Sequence, residues 1–227
     1  MVRAGSSKVS ERFAVTTIAV IDYDMGNLHS ACKGLEFAGA TTLVTDRVAD
    51  MENADGVLLP GVGAFDPAME HLRSRNLIDP IRQIAGSGKP FLGICVGMQV
   101  LFEGSEEGSA PGLGIFKGMV RRFKPEPNIA IPHMGWNQLD ITQPKCPAFK
   151  DIPQSAWVYF VHSFYAQPTD ANINAAITTH GTQRVTAAVA KENVMAVQFH
   201  PEKSSTAGLQ LLKNFVEHVN QHRLVAA

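Results

Sequence analysis

Three segments carry residue types that together can split an amide. The first is Gly93-Ile94-Cys95-Val96-Gly97, directly after the apolar Pro90-Phe91-Leu92. It reads as a buried strand ending in a sharp turn, with a cysteine at the apex and a helix behind it. Glycines on both sides relieve the crowding of such a turn. The start of that helix offers backbone N–H groups and a positive dipole end, which favour a thiolate over a thiol. The second segment is Gln198-Phe199-His200-Pro201-Glu202. A thiol nucleophile needs a base, and the base needs an orienting group. His200 is the candidate base and Glu202 the orienter. Pro201 biases His200 towards extended backbone, where residues i and i+2 share a side. Glu202 can then reach the imidazole. The third segment is Val57-Leu58-Leu59-Pro60-Gly61-Val62-Gly63-Ala64-Phe65. Thiolate attack on a carbonyl makes an oxyanion, which needs donors already aimed at it. The backbone N–H groups of Gly61, Val62 and Gly63 suit that role, with the N–H of Val96 as second donor.

Each segment also has a plainer reading. Cys95 alone reads as a small apolar residue packed in a core. His-Pro-Glu alone is a rigid surface turn, and the glycine stretch alone is an ordinary strand-to-helix connection. The three together shift the balance towards nucleophilic catalysis.

The whole chain bounds the setting. Its 227 residues suffice for one domain with a substantial core. A hydrophobic fraction of 45% is ordinary for a globular protein, and a net charge of −1 gives no general pull towards nucleic acid or anionic membrane. Arg121 and Arg122 are too small a patch to change that. No apolar run approaches the length of a membrane span. Cys32, Cys95 and Cys146 form no C-x-x-C pair. Three sparse cysteines argue against a disulfide scaffold and for a reducing, cytoplasmic compartment. Residues 1–16 lack the apolar core of a secretory signal and are expected to be a disordered tail.

The elements that must hold the three segments follow from periodicity. Strands are expected at 17–22, 41–45, 56–60 and from Phe91. Helices are expected at 28–38, with Asn27 as N-cap and Gly39 in the turn that ends it, and at 68–85 with an interruption at Pro80. A further helix should begin near Asp66, and another should run over 98–102. This alternation implies a parallel sheet with helices on both faces, whose ligands bind at the strands' carboxyl ends. Strands are then expected at 115–123, 157–161, 173–178, 185–190 and 195–199. A closing helix over 204–222 carries Leu209, Leu212, Phe215, Val216 and Val219 at helical spacing. No repeat or linker divides the domain.

From Ile18 to about Val219 the chain resembles the class I glutamine amidotransferases. GICVGM, the distant HPE and the Gly-rich loop carry that likeness. DYDMGNLHS at 22–30, PGVGAF at 60–65, GICVGMQ at 93–99, PHMGWN at 132–137, YFVHSFY at 159–165 and QFHPEKSS at 198–205 resemble the glutaminase subunits of imidazole glycerol phosphate synthases. The resemblance implies a flavodoxin-like α/β domain over 17–227, with a mixed, mostly parallel sheet flanked by helices. It implies that Cys95 attacks the side-chain amide of glutamine, that His200 shuttles the proton and that Glu202 orients His200. It implies no cofactor and no metal. Gln99 and the backbone of His162, Ser163 and Phe164 would hold the substrate. Ammonia would pass to a cyclase subunit, a (β/α)8 barrel in a heterodimer, with Trp136, Asn137 and Lys203 facing that partner. Trp136 also reads as a core aromatic, Lys203 as a solvated charge, and His133 and His162 as structural histidines. Cys32 reads as core and Cys146 as a loop residue. Asp24 departs from a position where the family often has glycine. Competing functions are a glutaminase for a pyridoxal phosphate or anthranilate synthase, a γ-glutamyl cysteine hydrolase, and a non-catalytic scaffold.

Overall fold

A computed structural model describes residues 15–226. Most of the expected tail, residues 1–14, lies outside them. Thr16 is buried, and its hydroxyl donates to Asn220 Oδ1 at 2.8 Å.

The first half alternates as the periodicity predicts. The order is β1 Thr17–Ile21, α1 Leu28–Phe37, β2 Thr41–Thr45, α2 Val48–Asn53, β3 Gly56–Leu59, α3 Phe65–Ser74, α4 Ile78–Gly86, β4 Phe91–Ile94 and α5 Val96–Gln99. The second half holds β5 Gly104–Ser105, β6 Gly118–Arg122, β7 His133–Gln138, β8 Asp140–Ile141, β9 Trp157–His162, β10 Phe164–Pro168, β11 Asn174–His180, β12 Gln183–Lys191, β13 Val194–Val197 and α6 Ser205–Ala226.

One eight-stranded sheet forms the frame, ordered β2-β1-β3-β4-β13-β12-β11-β8. From β2 to β13 the neighbours are parallel, and beyond β13 they are antiparallel. The central strands are fully buried apolar runs, as expected where both faces are covered. Two smaller sheets, β10-β6-β5 and the ribbon β7-β9, complete the molecule. Among the described residues no helix is long and apolar enough to cross a membrane.

Several expectations need correction. The 68–85 helix breaks at Asn76, not Pro80. Asn76 takes a left-handed φ of 57°, and Leu77 N donates back to Leu72 O at 2.9 Å, which closes the end of α3. Pro80 sits in the first turn of α4, where a missing N–H leaves no bond unmade. The helix behind Cys95 is one turn, Val96–Gln99, not 98–102. Strand β6 covers only Gly118–Arg122 of the expected 115–123. The ribbon strand β7 and strand β10 have no counterpart among the expected elements. In β7 the buried face is His133 and half-buried Gly135 and Asn137, while Met134 and Trp136 face solvent. Its apolar residues point away from the core, so the usual alternation signal is inverted.

Candidate active site

The carboxyl ends of three adjacent strands build the site. β3 leads into Pro60–Gly63, β4 into Cys95, and β13 into Gln198–His200. Parallel register sets Leu59 beside Gly93, and Val197 beside Ile94. The three segments of the sequence thus converge because their strands are neighbours.

Cys95 has φ 55° and ψ −112°, a conformation that costs a non-glycine residue about 1–3 kcal/mol. The surroundings impose it. Cys95 N donates to Val197 O at 2.8 Å, and Cys95 O accepts from Met98 N and Gln99 N. Gly97 is required because a Cβ there would lie 2.0 Å from Leu59 O. The elbow and the end of β3 therefore touch backbone to backbone. Gly61 packs into the same junction, beside Gly97 N and the Tyr23 hydroxyl. Tyr23 is fully buried and donates to Pro60 O at 2.7 Å, which pins the start of the glycine loop. Burial first, then the charge of Cys95, push its phenol far up, so it stays a donor.

His200 is buried, and its Nδ1 lies 2.8 Å from Glu202 Oε1. Glu202 reaches the ring through a 3-10 turn over Pro201–Lys203, not along an extended strand. His200 itself is extended, with φ −99° and ψ 100°. Its backbone is held on both sides: N donates to Tyr159 O at 3.0 Å, and O accepts from Lys203 N at 3.0 Å and from Ser204 Oγ at 2.6 Å. Burial pulls the imidazole pKa down, but hydrogen bonds to Cys95 and Glu202 and their negative charge outweigh it. The result is a rise to about 9. Among the described residues Glu202 Oε2 is buried and has no hydrogen-bond partner, while Oε1 faces His200 Nδ1.

A cavity of about 370 Å³ opens over Cys95 and His200. Val62, Gly63 and Val96 line it, as do Gln99, His162, Ser163, Phe164 and Lys203. Gly61 does not; it lies beneath, in the elbow junction. Gly63 has a positive φ of 89°, which glycine adopts freely. The Phe164 carbonyl already accepts from Gln99 Nε2 at 3.1 Å and from His162 Nδ1 at 2.8 Å, and Ser163 O accepts from Phe123 N. Those oxygens are engaged within the protein. Glu107, which takes the Phe65 N–H at the start of α3, is a wall residue that the sequence did not single out.

His133 and His162 form a second buried group. His133 Nδ1 lies 2.9 Å from His162 Nε2, and Asn137 Nδ2 reaches His133 Nε2 at 3.1 Å and Thr179 O at 2.8 Å. Among the described residues no cluster of three or more His, Cys, Asp or Glu is arranged to hold a metal. Asn137 thus points inward, whereas Trp136 is 50% exposed on the opposite ribbon face with Met134 and Trp157. Trp136 is not a core residue. All three cysteines are free and buried, Cys146 included. Asp24 keeps the left-handed turn with φ 64° and ties it down through an ion pair to Arg75.

The model of the class-I glutamine amidotransferases matches residues 19–219. The chain belongs to this family. A protein of Acaryochloris marina named imidazole glycerol phosphate synthase subunit HisH is 66% identical over 89% of this chain and 94% of its own length. One of the same name from a Cyanothece strain is 63% identical over 93% of this chain and 100% of its own. The crystal structure of a glutamine amidotransferase matches with TM-score 0.67 at 18% identity, covering 89% of this chain and 98% of that one. PurLQS from Thermotoga maritima matches with TM-score 0.69 at 18% identity, covering 90% and 99%. At that identity the last two speak for the amidotransferase fold alone.

A buried residue beside Cys95 also carried no separate signal in the sequence, although it opens the QFHPEKSS segment. Gln198 is fully buried, and its Nε2 lies 3.7 Å from Cys95 Sγ. Two-residue spacing from His200 on extended backbone was the available clue.

Proposed function

We propose that this chain is the glutaminase subunit of an imidazole glycerol phosphate synthase. It hydrolyses glutamine to glutamate and ammonia and passes the ammonia to a cyclase subunit. That partner, a (β/α)8 barrel, converts PRFAR to imidazole glycerol phosphate and AICAR in histidine biosynthesis. The observation that carries the chemistry is a cysteine on a strained elbow, facing a buried imidazole bonded to a carboxylate, inside a cavity. Relatives above 60% identity that carry this subunit's name support the metabolic placement.

His200 takes the Cys95 proton, and the sulfur attacks the amide carbon of glutamine. Backbone N–H groups of the Val62–Gly63 loop and Val96 receive the oxyanion. His200 then gives its proton to the departing nitrogen, and ammonia leaves a glutamyl thioester. Water, deprotonated by His200, releases glutamate and restores the thiol. Glu202 holds the ring in the tautomer that keeps Nε2 towards the sulfur. The exposed ribbon face of Met134, Trp136 and Trp157 suits the partner, because large aromatic residues commonly anchor interfaces. Val161 of that ribbon also lines the cavity, so the docking face adjoins the cavity mouth.

A glutaminase working alone would waste glutamine. The Gly61-Val62-Gly63 loop is the switch in this reading: one peptide turns an N–H towards or away from the oxyanion. A single such donor is worth about 3 kcal/mol in the transition state. Glutamine turnover measured with and without a cyclase and its ligand tests the scheme. Strong stimulation is expected, and equal turnover in both states removes the switch. Cys95→Ala should abolish hydrolysis, and retained hydrolysis would overturn the nucleophile.

A further inference from the structure

The nucleophile has a neighbour for which the triad gives no role. Gln198 follows β13, is fully buried, and directs Nε2 at Cys95 Sγ from 3.7 Å. The orientation of a side-chain amide must be argued from its partners, and here an unambiguous acceptor settles it. The Phe164 carbonyl can only accept, so the Gln99 atom 3.1 Å from it is the amide nitrogen. The same Gln99 Nε2 lies 2.9 Å from Gln198, and two nitrogens cannot donate to each other, so that Gln198 atom is Oε1. Gln198 Nε2 is therefore the atom left for the sulfur. A rotated Gln198 would set donor against donor at Gln99, and its oxygen against the sulfur.

We infer that Gln198 is a catalytic residue that donates an N–H to the Cys95 thiolate and to the sulfur as charge develops on it, with Gln99 as the residue that positions it. The inference rests on Cys95 being the nucleophile. An N–H at this distance bonds a neutral thiol weakly and an anionic sulfur more strongly, because hydrogen bonds to charged groups are about twice as strong. It favours the reactive form while leaving the lone pair aimed at substrate free. Gln198 is neutral, so it adds no charge to the cavity. Gln99 then acts in two ways. It lines the cavity, and it fixes the rotation of Gln198 through one hydrogen of its amide while anchoring itself to Phe164 O through the other.

The test is the pH dependence of Cys95 alkylation by iodoacetamide in the full chain, in a background with Cys32→Ser and Cys146→Ser. Gln198→Met keeps the volume and removes the donor. Gln198→Glu places a carboxylate against the sulfur. The midpoint of the alkylation profile should rise by about one pH unit in Gln198→Met and further in Gln198→Glu. Turnover of glutamine at neutral pH should fall about tenfold in Gln198→Met, with KM nearly unchanged, as a lost charge-assisted hydrogen bond predicts. The other ionisable groups around the sulfur, His200, Glu202 and Tyr23 with Glu107, Lys203 and His162 on the cavity wall, are the same in every variant. A purely structural role would change rates at all pH values and leave the midpoint in place, and that outcome overturns the inference. Should Gln198→Met fail to fold, Gln99→Met leaves Gln198 in place but free to rotate, and must shift the midpoint upward by a smaller amount. An unshifted midpoint there also overturns it. Failure of the nucleophile assignment reads out separately, as hydrolysis that survives Cys95→Ala.

Discussion

Two buried histidine sites lie side by side in this molecule and titrate in opposite directions. His200 sits against a thiol and a carboxylate, and its pKa rises to about 9. His133 and His162 sit among rings, a carbonyl and each other. Burial, with smaller contributions from neighbouring histidines, takes them down to about 4 and about 3. All three side chains are withdrawn from water, so burial alone does not decide protonation. The partners decide it. A negative neighbour repays the cost of burying a charge, and a neutral acceptor does not. The neutral pair even has fixed tautomers. His162 Nδ1 must donate to the Phe164 carbonyl, which leaves Nε2 to accept from His133 Nδ1 and His133 Nε2 to accept from the Asn137 amide. One histidine site therefore holds a readily protonated ring beside a thiol and a carboxylate, and the other joins two strands through neutral rings.

The largest break in this comparison should come from Glu202→Gln. It keeps the shape and removes one of the two charges, after that of Cys95, that raise His200. Turnover should fall on the order of a hundredfold or more. The stability profile should change with it. A group whose folded pKa of about 9 lies above its unfolded value near 6.5 stabilises fully below the lower figure, and loses that contribution as pH rises through about 9. Urea midpoints of the unmodified chain should fall across that alkaline window. Glu202→Gln should flatten the fall, and an unchanged slope would mean that the carboxylate does not set the His200 pKa.

The histidine pair gives the mirror prediction with a smaller effect. Folded pKa values of about 4 and 3 lie below the unfolded value, so the unfolded chain binds protons first. Stability is complete above about pH 6.5 and is lost as pH falls towards 4 and 3. His133→Phe removes one of the two groups and should soften the acid limb. It also leaves His162 Nε2 without its donor, at a cost of about 1–3 kcal/mol at neutral pH. Urea titrations at pH 7 and pH 5 separate these: the variant should be weaker at the first and lose less on going to the second.

The two sites also differed in how far the sequence exposed them. The convergence of the three segments was legible because each follows a strand with a loud signal: an apolar run, then glycines or a proline. Cys95, His200 and the Pro60–Gly63 loop converge because β3, β4 and β13 are neighbours, an arrangement that alternation implied and pairing completed. Each histidine of the pair read as structural, but their meeting was silent. His133 and His162 meet only through the antiparallel register of β7 and β9, and β7 hides its core face behind His, Gly and Asn. Gln198 was silent for another reason. Its role depends on the rotation of two amides, and that is set by Phe164, far away in the chain. Asn76 shows how local signals can mislead: a left-handed asparagine ended a helix where a proline was expected to.

A final variant separates position from charge at His200. Ser204 is fully buried; its hydroxyl donates to His200 O at 2.6 Å and accepts from Tyr159 N at 2.9 Å. It therefore fastens the backbone of the base to the ribbon strand β9 without touching the imidazole. Ser204→Ala frees the Tyr159 N–H and leaves His200 O with the Lys203 N–H alone, and should lower stability by roughly 1–2 kcal/mol. With the base less firmly held, turnover should fall a few-fold, because small displacements of reacting groups are costly. The ring keeps Cys95 and Glu202 as neighbours, so the alkaline stability window near pH 9 should stay where it is. A window that moved with Ser204→Ala would mean that the His200 pKa depends on how the backbone holds the ring, and not only on the charges facing it.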